Sequence, residues 1–207
     1  MHAILVSVVL LSTVHAPGRL KRPSFPPVAL FGPNINETLR FRPFDDHGRP
    51  RKPALGELTH FLRCRQTGKQ RRVDPRLMRA LYTVGRHFAG HRVEVYSGYR
   101  SRAYCTRAHS RHLTASAVDF RVDGVANDEL VHWLRATFHP SGVGYYPNGV
   151  HVHLDLDRAR DTYWVDAGDD DANLAATTPL PEAPAADDGD SAGVRFDPPL
   201  DDPAFVD

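Results

Sequence analysis

Val150-His151-Val152-His153-Leu154-Asp155-Leu156-Asp157 alternates apolar and polar residues without a break. Side chains on a strand point to opposite faces in turn. The four apolar residues are therefore expected on a core-facing side, and His151, His153, Asp155 and Asp157 on the other. Two imidazoles and two carboxylates in one row, backed by a hydrophobic floor, offer nitrogen and oxygen donors on a rigid element, which is what a first-row metal site needs. A His-x-His pair on its own reads better as the solvated face of an edge strand. Just upstream, Gly142 to Tyr146 is a second strand, and Pro147-Asn148-Gly149 supplies a turn, so the two are expected to close as a hairpin.

Arg92–Tyr96 and Val118–Val122 read as two further strands. Residues 53–63 place Leu55, Leu58 and Leu62 at helical spacing. Asp74 to Gly90 carries the best helix pattern. Asp74 suits the N-cap, Pro75 the first helical position and Gly90 the C-terminal stop, with Leu77, Leu81, Val84 and Phe88 as the apolar stripe. Asn127 to Phe138 is a third helix, with Leu130, Trp133, Leu134 and Phe138 inward. These elements predict an α+β fold: a small antiparallel sheet backed by helices, with a metal site on the open sheet face.

The net charge of +1 over 207 residues conceals a split. Residues 1–165 hold 25 Lys/Arg against 13 Asp/Glu, whereas residues 166–207 hold one Arg against 12 Asp/Glu. A basic body thus carries an acidic tail. The tail, 167–207, is rich in Pro, Ala, Asp and Gly and is expected to be disordered, because it cannot bury enough surface to offset its ordering entropy. Residues 17–52, rich in Pro, Arg and Asn, read as a loosely structured arm, and 53–166 as the folded domain. Residues 3–14 form an apolar run followed by Val14-His15-Ala16, the pattern of an export signal over 1–16. A buried strand is the alternative reading of that run. No apolar run reaches the roughly 18 residues a membrane-spanning helix needs. Cys64 and Cys105 could pair in an oxidising compartment or remain two thiols, and the sequence leaves both open.

A second cluster joins the first. In Ser110-Arg111-His112-Leu113-Thr114-Ala115-Ser116-Ala117-Val118-Asp119-Phe120, a His stands seven residues before an Asp. His112 ends a loop and Asp119 sits on the next strand, so a bend between them brings both side chains to one point. A third donor from the His-x-His strand completes three protein ligands and leaves a fourth position open. An open position distinguishes a catalytic zinc from a structural one.

Ser97-Gly98-Tyr99-Arg100-Ser101, Ser110-x-His112-x6-Asp119-Phe120 and Gly142-Val-Gly-Tyr-Tyr-Pro147 … His151-x-His153 together resemble the zinc D,D-peptidase superfamily. That superfamily includes the D-Ala-D-Ala dipeptidases and carboxypeptidases, the penicillin-insensitive murein endopeptidases and the Hedgehog signalling domain. Order and spacing are closest to its exported murein endopeptidase-like branch, over about residues 54–165. The resemblance implies Zn2+ held by His112, Asp119 and His153. It implies that Arg100 steers substrate and polarises the scissile carbonyl, and that Ser110 supports the site or contacts substrate.

Two departures stand out. The family's usual Gly is replaced by Ala115. The dipeptidases carry a Glu three residues before the last His ligand, and here that residue is Val150. In the murein endopeptidase branch a His two positions before the ligand does related work, and His151 occupies that place. His151 is therefore the expected general base. His109 is a further imidazole, or simply a surface loop histidine. Asp155 is either a weaker base or a partner that orients an imidazole N–H. Tyr145 is read as substrate-binding, with a core aromatic as the alternative, and Trp133 and Trp164 are read as core.

The function these readings support is a zinc metallopeptidase cutting amide bonds in peptidoglycan stem peptides or cross-links, exported to the periplasm or cell envelope. The alternative is a non-catalytic zinc-bearing module that binds cell wall or protein. A basic body suits an anionic wall polymer as partner. No nucleic-acid module is recognisable, so nucleic acid is not expected as a partner.

Overall fold

One mixed sheet of seven strands organises the chain in the computed structural model, which describes residues 25–105 and 107–168. The strands are β1 (Val28–Gly32), β2 (Glu37–Phe41), β3 (Val93–Ser97), β4 (Ala117–Val122), β5 (Gly142–Tyr145), β6 (Val152–Asp155) and β7 (Thr162–Val165). Their order across the sheet is β2-β1-β3-β4-β6-β5-β7. Three α-helices accompany them among the described residues: α1 (Lys52–Phe61), α2 (Pro75–His87) and α3 (Asn127–Thr137). The α+β class is as expected. The export signal expected over 1–16 and nearly all of the acidic tail lie outside the described residues.

The expectation of a small antiparallel sheet is corrected. β1 pairs parallel with β3 and β5 pairs parallel with β7, while the remaining pairings are antiparallel. Two segments account for the difference. Residues 28–41, read as part of a loose arm, form the β1–β2 hairpin, with burial alternating along both strands. Its Pro- and Arg-rich flanks masked this short alternation. At the other edge Thr162–Val165 adds β7, four half-buried residues too short for periodicity to reveal.

The helices follow their sequence signals closely. Asp74 caps α2: its carboxylate accepts the Arg76 backbone N–H at 2.8 Å, and Pro75 stands at the first helical position. The helix ends at His87, ahead of Gly90, which takes a left-handed φ of +95° in the turn that follows. Leu77, Leu81 and Val84 of α2, Ala54 and Leu58 of α1, and Leu130 and Leu134 of α3 are all fully buried. Trp133 and Phe138 pack against the same core from partly buried positions. Val118, Phe120 and Val122 of β4, with Val152 and Leu154 of β6, supply the sheet side of that core. By strand alternation Asp119 and His153 then point to the other face.

The final strand is shorter than its pattern. β6 begins at Val152, and Val150 is 55% exposed rather than buried. β6 also lies inside the sheet, between β4 and β5, so its polar face is not an edge.

Candidate metal centre

Strand pairing alone brings two of the donors together. In the β4–β6 ladder Asp119 stands directly opposite His153, and directly opposed residues hold their Cβ atoms roughly 4.5–5.5 Å apart. His112 arrives from a single 3-10 turn, Arg111–Thr114. The chain leaves that turn through Ala115, whose φ of +57° is left-handed, and enters β4 two residues later. A non-glycine residue in this conformation costs about 1–2 kcal/mol. The bend folds His112 over the sheet face that bears Asp119 and His153.

All three side chains are buried. His153 Nδ1 lies 2.9 Å from Asp119 Oδ1, His112 Nε2 lies 3.3 Å from the same oxygen, and the two nitrogens are 3.3 Å apart. The far side of each imidazole is already committed. His112 Nδ1 donates to the Gly98 carbonyl at 2.7 Å, and His153 Nε2 lies 3.2 Å from Asp155 Oδ2. Because His112 Nδ1 faces a carbonyl, it carries that ring's N–H, which leaves Nε2 of the neutral ring as an acceptor toward Asp119. Two imidazole nitrogens and one carboxylate oxygen thus converge on one point, a donor set that suits a cation. His112, Asp119 and His153 are a group whose donor atoms all lie within 4.8 Å of one another.

The charges around the point agree. Burial works against Asp119, yet the His112 and His153 imidazoles hold its carboxyl well below the usual range. Burial also works against a charged His153, but Asp119 and Asp155 raise it above its ordinary value. Asp155, fully buried, would be raised by that burial, and His153 and Arg158 lower it instead. Arg158 grips it with Nε on Oδ1 and Nη2 on Oδ2, each at 2.7 Å. Arg100 binds Asp119 Oδ2 through Nη2 and donates from Nε to Ser97 Oγ at 2.8 Å. Metal-ligating histidines are commonly fixed in this way, by a carboxylate or carbonyl on the outer nitrogen.

A sequence profile of the peptidoglycan L,D-endopeptidase MepK family matches residues 28–162, which include all three donors. The chain belongs to the MepK family. The peptidoglycan L,D-endopeptidase MepK of Escherichia coli (strain K12) is 30% identical over 138 residues, covering 61% of this chain and 74% of that protein. The probable peptidoglycan L,D-endopeptidase MepK of Haemophilus influenzae (strain Rd) is 29% identical over 117 residues, covering 51% and 62% respectively. No solved structure matches the chain significantly. Membership in the MepK family makes this protein a hydrolase, a metallopeptidase of peptidoglycan. No helix among the described residues is long and apolar enough to cross a membrane.

In this MepK-family chain the donors open into a cleft of about 740 Å³, within the usual range for ligand sites. Arg100, Ser110, His109 and His151 all line it, as do the three donors and Asp155. His151 stands just before β6, half-buried, its ring 5.0 Å from that of Tyr146 and 5.9 Å from that of Tyr96. Burial pushes its imidazole below the ordinary value, which keeps it a neutral proton acceptor at neutral pH. His109 is exposed on the rim.

Two expectations are placed differently. Tyr145 packs against the hydrophobic core, and its neighbour Tyr146 lines the cleft. Trp164, read as core, stands in β7 as a cleft wall, its ring 5.1 Å from that of His153 and under the Arg158 guanidinium. Cys64 is buried, Cys105 is partly exposed, and both are free thiols.

Arg158 and Trp164 are the participants that sequence reading missed. The signal lay in Gly142-Val143-Gly144. A Cβ at Gly142 would collide with the Asp155 carboxylate and Arg158, and one at Gly144 would come within 2.6 Å of Trp164. The two glycines let these side chains close over β5 beside His153.

Proposed function

We propose that this protein is an exported, zinc-dependent endopeptidase that cleaves L,D-amide bonds of peptidoglycan. The observation that carries the zinc assignment is the convergence of two imidazole nitrogens and one carboxylate oxygen, each residue fixed by an outer partner. His112, Asp119 and His153 would hold the ion. Two imidazoles and one carboxylate are a familiar zinc donor set with room for a further ligand. When bound, zinc supplies Lewis acidity that makes water nucleophilic near neutral pH.

The chain's own residues divide the remaining work. Arg100, fixed by Ser97 and Asp119, presents its guanidinium at the cleft wall, where it orients the substrate and stabilises oxyanion charge on the scissile carbonyl. His151 accepts the proton of the attacking water and returns one to the departing amine, so that the amide C–N bond breaks with protons balanced. Ser110 and Tyr146 line the path of the peptide. The affinity of the E. coli relative's name with this reading lies in the bond type it states, an L,D linkage.

Digestion of purified peptidoglycan tests the reading. Muropeptides cut at L,D bonds are the expected products, chelation is expected to abolish their release, and added zinc to restore it. Products cut only at D,D bonds would overturn the assignment of the bond. Chelator-resistant turnover would overturn the zinc.

A narrower prediction concerns the outer partner of His153. Asp155→Asn keeps the size of the side chain but removes the charge between His153 and Arg158. Zinc affinity is expected to fall about 10–100-fold, as is usual for such partners. Competition against a chromogenic chelator measures it, and unchanged affinity would leave Asp155 a purely structural residue.

A further inference from the structure

We infer that a second cavity, joined to the metal cleft at Arg100, is the subsite for a carboxylate-bearing arm of the peptide substrate, with Arg65 as its anion-binding residue. The inference rests on the peptidase function proposed above and extends it to substrate selection.

The cavity holds about 240 Å³. It forms where three segments meet: the β1–β2 turn, the loop that follows α1, and the C-terminal end of β3. It shares Arg100 and Tyr104 with the metal cleft, so these two residues mark the junction. An endopeptidase must hold its chain on both sides of the scissile bond. A second cavity beside the arginine nearest the donors is suitably placed to take one of the two arms.

Its walls are built in advance. Asn34 Nδ2 donates to the Tyr96 carbonyl at 2.8 Å, tying the β1–β2 turn to β3. The Tyr99 N–H donates to the Leu62 carbonyl at 2.8 Å, tying β3's end to the loop after α1. Arg63 pairs with Glu37 of β2. These ties hold the backbone of the rim in place, which limits the ordering cost of binding to the side chains that meet the ligand.

The charges decide the ligand. Three arginines line the cavity, Arg63, Arg65 and Arg100, and no carboxylate does. Arg63 is committed to Glu37 and Arg100 to Asp119. Arg65 is exposed and makes no ion pair or side-chain hydrogen bond with the described residues. An uncommitted guanidinium over a mainly polar cavity that lacks acid groups fits a planar carboxylate, which it can hold through two parallel N–H bonds. Tyr104, 56% exposed at the junction, offers a ring face for the intervening peptide.

The test uses the full-length protein and a soluble cross-linked stem-peptide substrate, prepared with its carboxylates free and with them amidated. Arg65→Gln is expected to raise KM for the free acid roughly tenfold, the usual scale for a lost hydrogen bond to a charged group. Its kcat should be unchanged, and the amidated substrate should be indifferent to the substitution. Arg65→Lys should recover part of the loss by restoring charge without the planar fork. Calorimetry with an uncleaved stem-peptide fragment, acid against amide, reads the same preference without turnover. If the protein binds acid and amide equally, or if Arg65→Gln weakens both alike, the subsite assignment is overturned. Absent hydrolysis with an intact, Arg65-dependent acid preference would instead overturn the peptidase reading and leave the subsite standing.

Discussion

His151→Ala is expected to keep its zinc and to lose about 10²–10⁴-fold of peptidoglycan hydrolysis, the usual contribution of a positioned general base. His151 lines the cleft one strand position outside β6 and makes no hydrogen bond to the three donors among the described residues. Its removal therefore should not disturb them. The dipeptidase-type Glu is replaced by Val150, which is exposed and has no proton to exchange. Asp155 is a poor substitute base, because it is fully buried and clamped by Arg158. Metal content and initial rate, measured on the same preparation, separate the outcomes. Near-full turnover would shift the role to His109, which also lines the cleft. Loss of metal would make His151 a ligand.

Asp119→Ala and His153→Ala are each expected to reduce bound zinc from about one per chain to nearly none, and to abolish activity with it. Two remaining donors do not make the usual three-ligand site. The loss at Asp119 should be compounded, because Arg100 then faces two imidazoles with no carboxylate between them. Elemental analysis after dialysis against buffer without chelator measures the stoichiometry. A value near zero in the unsubstituted protein would sink the assignment outright. Thermal unfolding of the variants, recorded in parallel, shows whether metal or fold was lost first.

The donor set was legible because its parts are local. His153 and Asp155 declare themselves through period-two alternation, and His112 and Asp119 through a short spacing across one bend. What brings them together, the β4–β6 pairing, is a contact between residues 34 positions apart, and periodicity cannot report it. The β1–β2 hairpin stayed hidden because its strands are five residues long and flanked by Pro and Arg. That omission mattered, since this hairpin supplies one wall of the second cavity. Arg158 and Trp164 were missed for another reason. An Arg three residues beyond an Asp is common on any surface, and only the absence of side chains at Gly142 and Gly144 reveals that both fold inward. Tyr145 and Tyr146 are adjacent and chemically alike. Which of them faces the cleft depends on where β5 ends, and element ends are the least certain feature of a sequence pattern.

Because Asp119 and His153 are partners in one ladder, an ion held by both would link its binding thermodynamically to strand register. A slip of one residue by either strand would turn that strand's donor into the hydrophobic core and put an apolar neighbour, Phe120 or Val152, in its place. No shifted pairing can offer the ion its donors. Metal held there would bind only the correctly aligned sheet and would stabilise it by mass action, the more so as its free concentration rises above the dissociation constant. In an environment short of zinc the protein would lose fold stability together with activity. Metal supply would thus govern how much of the hydrolase survives as well as how fast it works.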